Sequence, residues 1–310
     1  MYVVSSNWDD GWGVDIVKDW GVVAMKDGCK VIVIGATGYI GMGLLSNANA
    51  HCVAYGTSTT GTSGLLPLRL DASSDFGYEL IFPGDVVLLT AAISAPDICA
   101  REHERAWAVN VTGTSDFINQ VIARGGRVVF FSSDTVYGER SNTFDEAAES
   151  QPTGEYAEMK REVEKRFLGN PLFKSIRLSY VFSREDKFTK YLSGCVERGE
   201  EAELFHPFYR AIVHRGDVIE GTLALARRWD EFPQQVINFG GPEVFSRIDF
   251  AECLKRVALP NLRYRVTEPG DDFFKNRPRI IAMSSNVLPD LLGRPSRSLL
   301  EAAQIEFASS

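Results

Sequence analysis

Cysteine is scarce in this 310-residue chain: Cys29, Cys52, Cys99, Cys195 and Cys253 stand singly, with no CxxC pair. An odd, scattered set argues against a disulfide framework and suits a reducing compartment. Histidine is rarer still, and His51, His103, His206 and His214 have no metal-ligand spacing, so no metal site is expected. Basic charge is in deficit, with 33 Lys and Arg against 41 Asp and Glu for a net charge of −8. Broad electrostatic capture of nucleic acid or of an anionic membrane is thereby disfavoured. No apolar run approaches the roughly 20 residues of a membrane span, and the N-terminus lacks the basic-then-apolar order of a signal peptide. A cytoplasmic protein is the expectation. Internal repeats and low-complexity segments are missing as well.

What is present is enough apolar material for a full core, 45% of residues against 24% charged. From residue 29 short apolar runs alternate with longer helical patterns. Strands are expected at 30–34, 52–55, 86–89, 128–131, 174–177 and 236–239, with helices near 40–48, 101–122 and 155–168. That rhythm predicts an α/β fold, a Rossmann-type doubly wound parallel sheet over residues 28–180. Beyond 181 the pattern changes to helices at 186–199, 216–230, 246–258 and 297–304 separated by Pro- and Gly-containing loops. Residues 181–310 therefore read mainly as a smaller substrate-binding lobe over the carboxyl edge of the sheet, with the strand at 236–239 returning to it. Residues 1–27, in which Trp8, Trp12 and Trp20 sit among Asp9, Asp10, Asp15 and Asp19, read as an N-terminal extension.

The first expected strand runs directly into Gly35, Ala36, Thr37, Gly38, Tyr39, Ile40 and Gly41, a GxxGxxG turn that opens a helix. Glycines suit a tight turn, the close approach of a diphosphate and the packing of helix against strand, and the helix N-terminus offers unpaired N–H groups. Dinucleotide binding follows, with Tyr39 covering the ligand or simply packing. An acidic residue usually ends the second strand of an NAD site, but here Gly56, Thr57, Ser58, Thr59 and Thr60 follow it. Without a carboxylate to repel a 2′-phosphate, NADP is preferred over NAD, although the nearest basic residue is Arg69. Asp71 is either a partner for the adenine amine or an ordinary loop aspartate. Ala91 and Ala92, small residues after the strand at 86–89, would let a cofactor lie against the backbone.

A second constellation begins with Ser133 at the end of the strand RVVFF and continues with Tyr156 and Lys160 in a helical stretch. A spacing of four puts the phenol and the ammonium on one helical face. An isolated tyrosine titrates near 10, and an adjacent ammonium is expected to lower that value. Ser133 would hold a substrate oxygen, Tyr156 would move a proton and Lys160 would also bind the nicotinamide ribose. The neighbouring Glu158, Arg161, Glu162, Glu164 and Lys165 read as a solvated charged face.

Taken together, GATGYIG, FSSDTVYG, YAEMK and AWAVNVTGT resemble the extended short-chain dehydrogenase/reductases, the NAD-dependent epimerase/dehydratase family. RLSYVFS at 177–183, NFGGPEVFSR at 238–247 and RPRIIAMSSNVLPDLLG at 277–293 look most like the dTDP-4-dehydrorhamnose reductase branch. The resemblance implies a nucleotide-sugar substrate, NADP or NAD as cofactor, Asn110 as a helix asparagine supporting the active site, and a homodimer built on helices around 105–122 and 155–168. Dehydratases of this group carry an Asp–Glu pair after the active-site hydroxyl, whereas this chain has Asp134 followed by Thr135. Reduction of a keto group is therefore preferred, with epimerisation on tightly held NAD, or a non-catalytic cofactor-binding subunit, as alternatives. Asp134, Thr135, Arg210, Arg277 and Arg279 are the candidates for substrate contact, the guanidinium groups for a diphosphate. Lys187 and Lys190 are weaker choices.

Overall fold

The computed structural model describes residues 30–49, 52–61, 64–140 and 142–308, so the expected N-terminal extension, Cys29 and His51 lie outside the described residues. Seven strands form one sheet: β1 (Lys30–Ile34), β2 (Val53–Ser58), β3 (Leu66–Pro67), β4 (Val86–Leu89), β5 (Arg127–Ser133), β6 (Phe173–Leu178) and β7 (Val236–Phe239). Their order is 3-2-1-4-5-6-7 and every pairing is parallel. All four residues of β4, and Val31 to Ile34 of β1, are buried, because helices cover both faces. The strand order reverses between β1 and β4, which opens a crevice at their carboxyl ends. This is the Rossmann-type fold that the sequence predicts.

Helix α1 (Tyr39–Ala48) follows the glycine turn, α2 (Thr114–Ala123) precedes β5 and α3 (Glu155–Phe167) precedes β6. In α3, Glu155 and Glu158 stand in the first turn and Lys165 and Arg166 in the last, each complementing the helix dipole. The helical run expected at 101–122 is more broken than its pattern suggests. Glu102 leaves helical geometry, and Ala108–Gly113 widens into a π turn. Gly113 is required there, since a Cβ would lie 1.7 Å from the Leu70 carbonyl oxygen.

The boundary expected near residue 181 is crossed twice. Helix α4 (Lys187–Arg198) lies in the C-terminal lobe, but α5 (Arg215–Arg227) packs Val218, Ile219, Leu223 and Leu225 into the core beneath β1, β4 and β5. Leu288, Leu291 and Leu292 join the same core. Sequence rhythm assigned both segments to the lobe because α5 is followed by a loop rather than directly by a strand. The lobe proper is built on α4, α6 (Arg247–Val257) and α7 (Leu299–Phe307), around Phe182, Leu192, Phe250, Leu254 and Leu299. Capping boxes from Ser246 with Asp249 and from Ser298 with Glu301 start α6 and α7. Among the described residues no helix is long and apolar enough to cross a membrane.

Candidate active site

A cavity of about 890 Å³ runs along the carboxyl ends of β1, β4 and β5. At one end the glycine turn forms its floor. Gly35 takes φ +85°, and a Cβ on it would lie 2.9 Å from the Ala91 amide nitrogen; a Cβ on Gly41 would lie 2.2 Å from the Gly35 carbonyl oxygen. Only glycine lets these three segments close. The turn is tied to β2 by the Gly35 amide donating to Thr57 Oγ1 at 3.2 Å and the Ala36 amide to the Thr57 carbonyl at 2.9 Å. Helix α1 then begins with no side-chain cap and no acidic residue in its first turn. Its leading amides and dipole are left for an anion, which fits a dinucleotide diphosphate.

Gly35, Thr37, Gly38, Tyr39, Ile40 and Gly41 all line the cavity, as do Thr57, Ser58, Asp71, Ala91 and Ala92. Tyr39 also reaches across to the lobe, its hydroxyl 2.6 Å from Ser183 Oγ. Arg69, which the sequence names only as the nearest basic residue, lines the cavity too, as does Arg105. The two-residue strand β3 pairs Thr57 with Leu66 and Ser58 with Pro67, which carries Arg69 round to the hydroxyl cluster at the end of β2. Arg69 holds Asp71 through two hydrogen bonds, at 3.2 and 2.9 Å.

At the other end stand Tyr156 and Lys160. Lys160 is 3% exposed, donates to the Phe131 carbonyl at 2.7 Å and lies 5.7 Å from the Tyr156 ring centre. Burial pulls its ammonium down from 10.5 to about 8. Tyr156 departs from expectation. Its phenol is pushed well above 10, chiefly by burial, with Cys99 and the Asp134 carboxylate adding to the effect. Desolvation sets the direction here, so the phenol is held protonated at neutral pH and is not a phenolate.

The Lys160 shift carries a stability consequence. The folded-state value lies below the unfolded one, so the unfolded chain binds more protons between about pH 8 and 10.5, and stability rises with pH across that window. Urea unfolding of wild type and Lys160→Met should therefore diverge in favour of the wild type by about 2 kcal/mol between pH 7.5 and 10. Parallel curves would contradict the downward shift of Lys160.

Several predicted contacts sit elsewhere. Ser132 rather than Ser133 lines the cavity. The Ser133 hydroxyl donates to Asp134 Oδ1 at 3.2 Å and accepts from the Thr135 amide and hydroxyl at 3.2 and 2.9 Å. Asp134 is 4% exposed and accepts from Ser179 Oγ at 2.8 Å; burial raises its pKa, opposed first by Arg210. It is therefore an internal carboxylate and not a lining residue, because the turn after β5 points it inward. Thr135 is partly buried and serves the same turn. Arg210 is likewise buried, giving its Nη atoms to the carbonyls of Tyr209, Pro278 and Arg279, with Nε 3.7 Å from Asp134. Arg277 forms a two-bond pair with Asp97 and Arg279 pairs with Asp271, so both guanidinium groups are engaged outside the cavity. Lys190 pairs with Glu185.

Asn110 does not face the cavity. In the π turn its amide accepts from the Ile93 amide at 2.8 Å and donates to the Ile93 carbonyl at 2.9 Å, pinning the loop after β4 from behind. Glu164, read as part of a solvated face, is fully buried. It accepts from Arg177 at 2.7 and 3.0 Å and from Ser175 at 2.9 Å.

Residues 29–309 match the family of the RmlD substrate binding domain. Among curated proteins, methionine adenosyltransferase 2 subunit beta of Pongo abelii is 24% identical over 274 residues, 84% of this chain and 82% of that protein. The Xenopus tropicalis protein of that name is 26% identical over 163 residues, 52% of this chain and about half (48%) of its own length. Among solved structures, a dTDP-4-dehydrorhamnose reductase from Clostridium acetobutylicum superposes with a TM-score of 0.75 at 19% identity, over 90% of this chain and 99% of that one. MoeE5 in complex with UDP-glucuronic acid and NAD gives 0.74 at 20%, covering 88% and 96%. The dTDP-4-dehydrorhamnose reductase of Bacillus anthracis in complex with NADP gives 0.74 at 18%, covering 91% and 99%.

Proposed function

The chain belongs to the RmlD substrate binding domain family, within the extended short-chain dehydrogenase/reductases, and from that membership we propose that it reduces a keto group on a nucleotide-activated sugar. One observation carries the reading: a half-buried, protonated phenol beside an ammonium at one end of a cleft whose other end is a glycine cradle with uncapped helix amides. The cradle and the α1 amides would hold the diphosphate of NADP or NAD, and Lys160 the nicotinamide ribose. When bound, that cofactor supplies the hydride. Tyr156 gives its phenolic proton to the oxygen that becomes the alcohol, and the neighbouring ammonium stabilises the phenolate left behind. Ser133, whose hydroxyl is turned to Asp134 and Thr135, would orient that oxygen only after turning toward the cleft. A keto oxygen that gains negative charge as it is reduced needs an acid, and a phenol that keeps its proton at neutral pH can supply one.

The hydroxyls of Thr57 and Ser58 together with Arg69 favour NADP. An arginine beside the ribose accommodates the 2′-phosphate where an acidic residue would repel it. Arg69→Ala is expected to raise the KM for NADPH roughly ten-fold, the scale of one charge-assisted hydrogen bond, and to leave that for NADH within about two-fold. Equal effects on both cofactors would remove Arg69 from this role.

Absorbance at 340 nm with a panel of 4-keto nucleotide sugars tests the main reading: net NADPH consumption supports it. An epimerase would purify with NAD and interconvert sugars without net consumption. The names of the curated relatives favour a second reading, a cofactor-binding subunit of another enzyme. Tight cofactor binding without turnover on any of these sugars would favour that second reading.

A further inference from the structure

The Ser133 hydroxyl has one proton and two lone pairs, and all three are spent inside the protein. The proton goes to Asp134 Oδ1, and the lone pairs take the Thr135 amide and hydroxyl. In this arrangement it has nothing left for a substrate oxygen. Its partner carboxylate is buried and is held by Ser179 Oγ at 2.8 Å and by the charge of Arg210 at 3.7 Å. Arg210 in turn is moored to the carbonyls of Tyr209, Pro278 and Arg279 in the C-terminal part of the chain. One guanidinium thus joins the turn after β5 to the segment that carries Arg277 and Arg279.

We propose that Asp134 and Arg210 form a positioning pair that parks the Ser133 hydroxyl and releases its O–H toward the substrate's keto oxygen when that oxygen arrives. No bond to hydrogen breaks in the exchange; the serine proton only changes acceptor, from Asp134 Oδ1 to the substrate. When the serine proton leaves, the carboxyl keeps the Ser179 hydroxyl at 2.8 Å and the Arg210 guanidinium at 3.7 Å as partners. Neither acts on substrate directly. Both act through Ser133, and the inference rests on the reductase reading above.

A double-mutant cycle tests it, with the full chain, NADPH and whichever 4-keto nucleotide sugar the panel identifies. Asp134→Asn in the wild-type background should lower kcat about ten-fold, the worth of one misdirected hydrogen bond, with the KM for NADPH unchanged. In a Ser133→Ala background the same change should cost less than about two-fold, because the group it positions is already gone. Additive losses, or a wild-type kcat in Asp134→Asn, would overturn the positioning role. Should Asp134→Asn fail to fold, Ser179→Ala removes a donor from the same carboxylate and carries the same cycle, with a loss of about three-fold expected only when Ser133 is present. Turnover that survives Tyr156→Phe would instead sink the reductase reading itself, so the two failures are separable.

Discussion

Tyr156→Phe is expected to lower sugar-dependent NADPH oxidation by about 10²–10⁴-fold, the usual worth of a positioned acid or base. The substitution removes only the hydroxyl, so the ring stays in place beside Lys160, 5.7 Å from its ammonium. The cradle lies at the far end of the cavity and is untouched. NADPH affinity, followed by fluorescence titration, should therefore stay within about three-fold of wild type, roughly the weight of one weak hydrogen bond. A variant that loses binding and turnover together would mean that the phenol props the cleft open instead of delivering a proton. The direction of its pKa makes the expectation specific. Because burial holds the phenol protonated, activity in the reductive direction should persist across neutral pH.

The second large effect concerns folding. Glu164 is fully buried and Arg177 is 3% exposed, joined by two hydrogen bonds on neighbouring elements. Removing one partner of such a pair leaves an uncompensated buried charge, so Glu164→Ala should cost about 3–5 kcal/mol. At 2–4 °C per kcal/mol for a chain of this size, calorimetry should find the Tm lower by roughly 6–20 °C. The arginine holds the carboxyl below its ordinary value of 4.5, a shift that burial opposes. The stabilisation is thus fully present above that value and is lost as pH falls through the lower folded-state one. Wild type and variant should converge in acid. A variant as stable as wild type at pH 7 would show that the pair's attraction merely offsets its desolvation.

These two side chains also mark where the sequence could be read and where it could not. Tyr156 and Lys160 were legible because four residues on a helix is a local distance. The glycine turn was legible because strand, turn and helix follow one another without a gap. Glu164 sits on the same helix as Tyr156, yet it was placed in solvent. Its partners Ser175 and Arg177 come from β6, and no helical pattern announces a burial that another strand creates. Arg69 is named by the sequence only as the nearest basic residue, too far along the chain to count; a parallel pairing only two residues long brings it to the cavity. Arg210 looked like a phosphate ligand because a guanidinium suits one. The structure gives it backbone carbonyls and a buried carboxylate instead. Spacing along the chain reveals chemistry confined to one element, while chemistry assembled from several needs the fold.

The most direct test follows the hydrogen itself. NADPH carrying deuterium at C4 of the nicotinamide, incubated with the full chain and a 4-keto nucleotide sugar, should yield an alcohol one mass unit heavier. NMR should place the label on the former carbonyl carbon, and Tyr156→Phe should form this product at least about 10²-fold more slowly. Label that stays on the nicotinamide while the cofactor remains tightly bound, in wild type and variant alike, would contradict hydride transfer in this cleft.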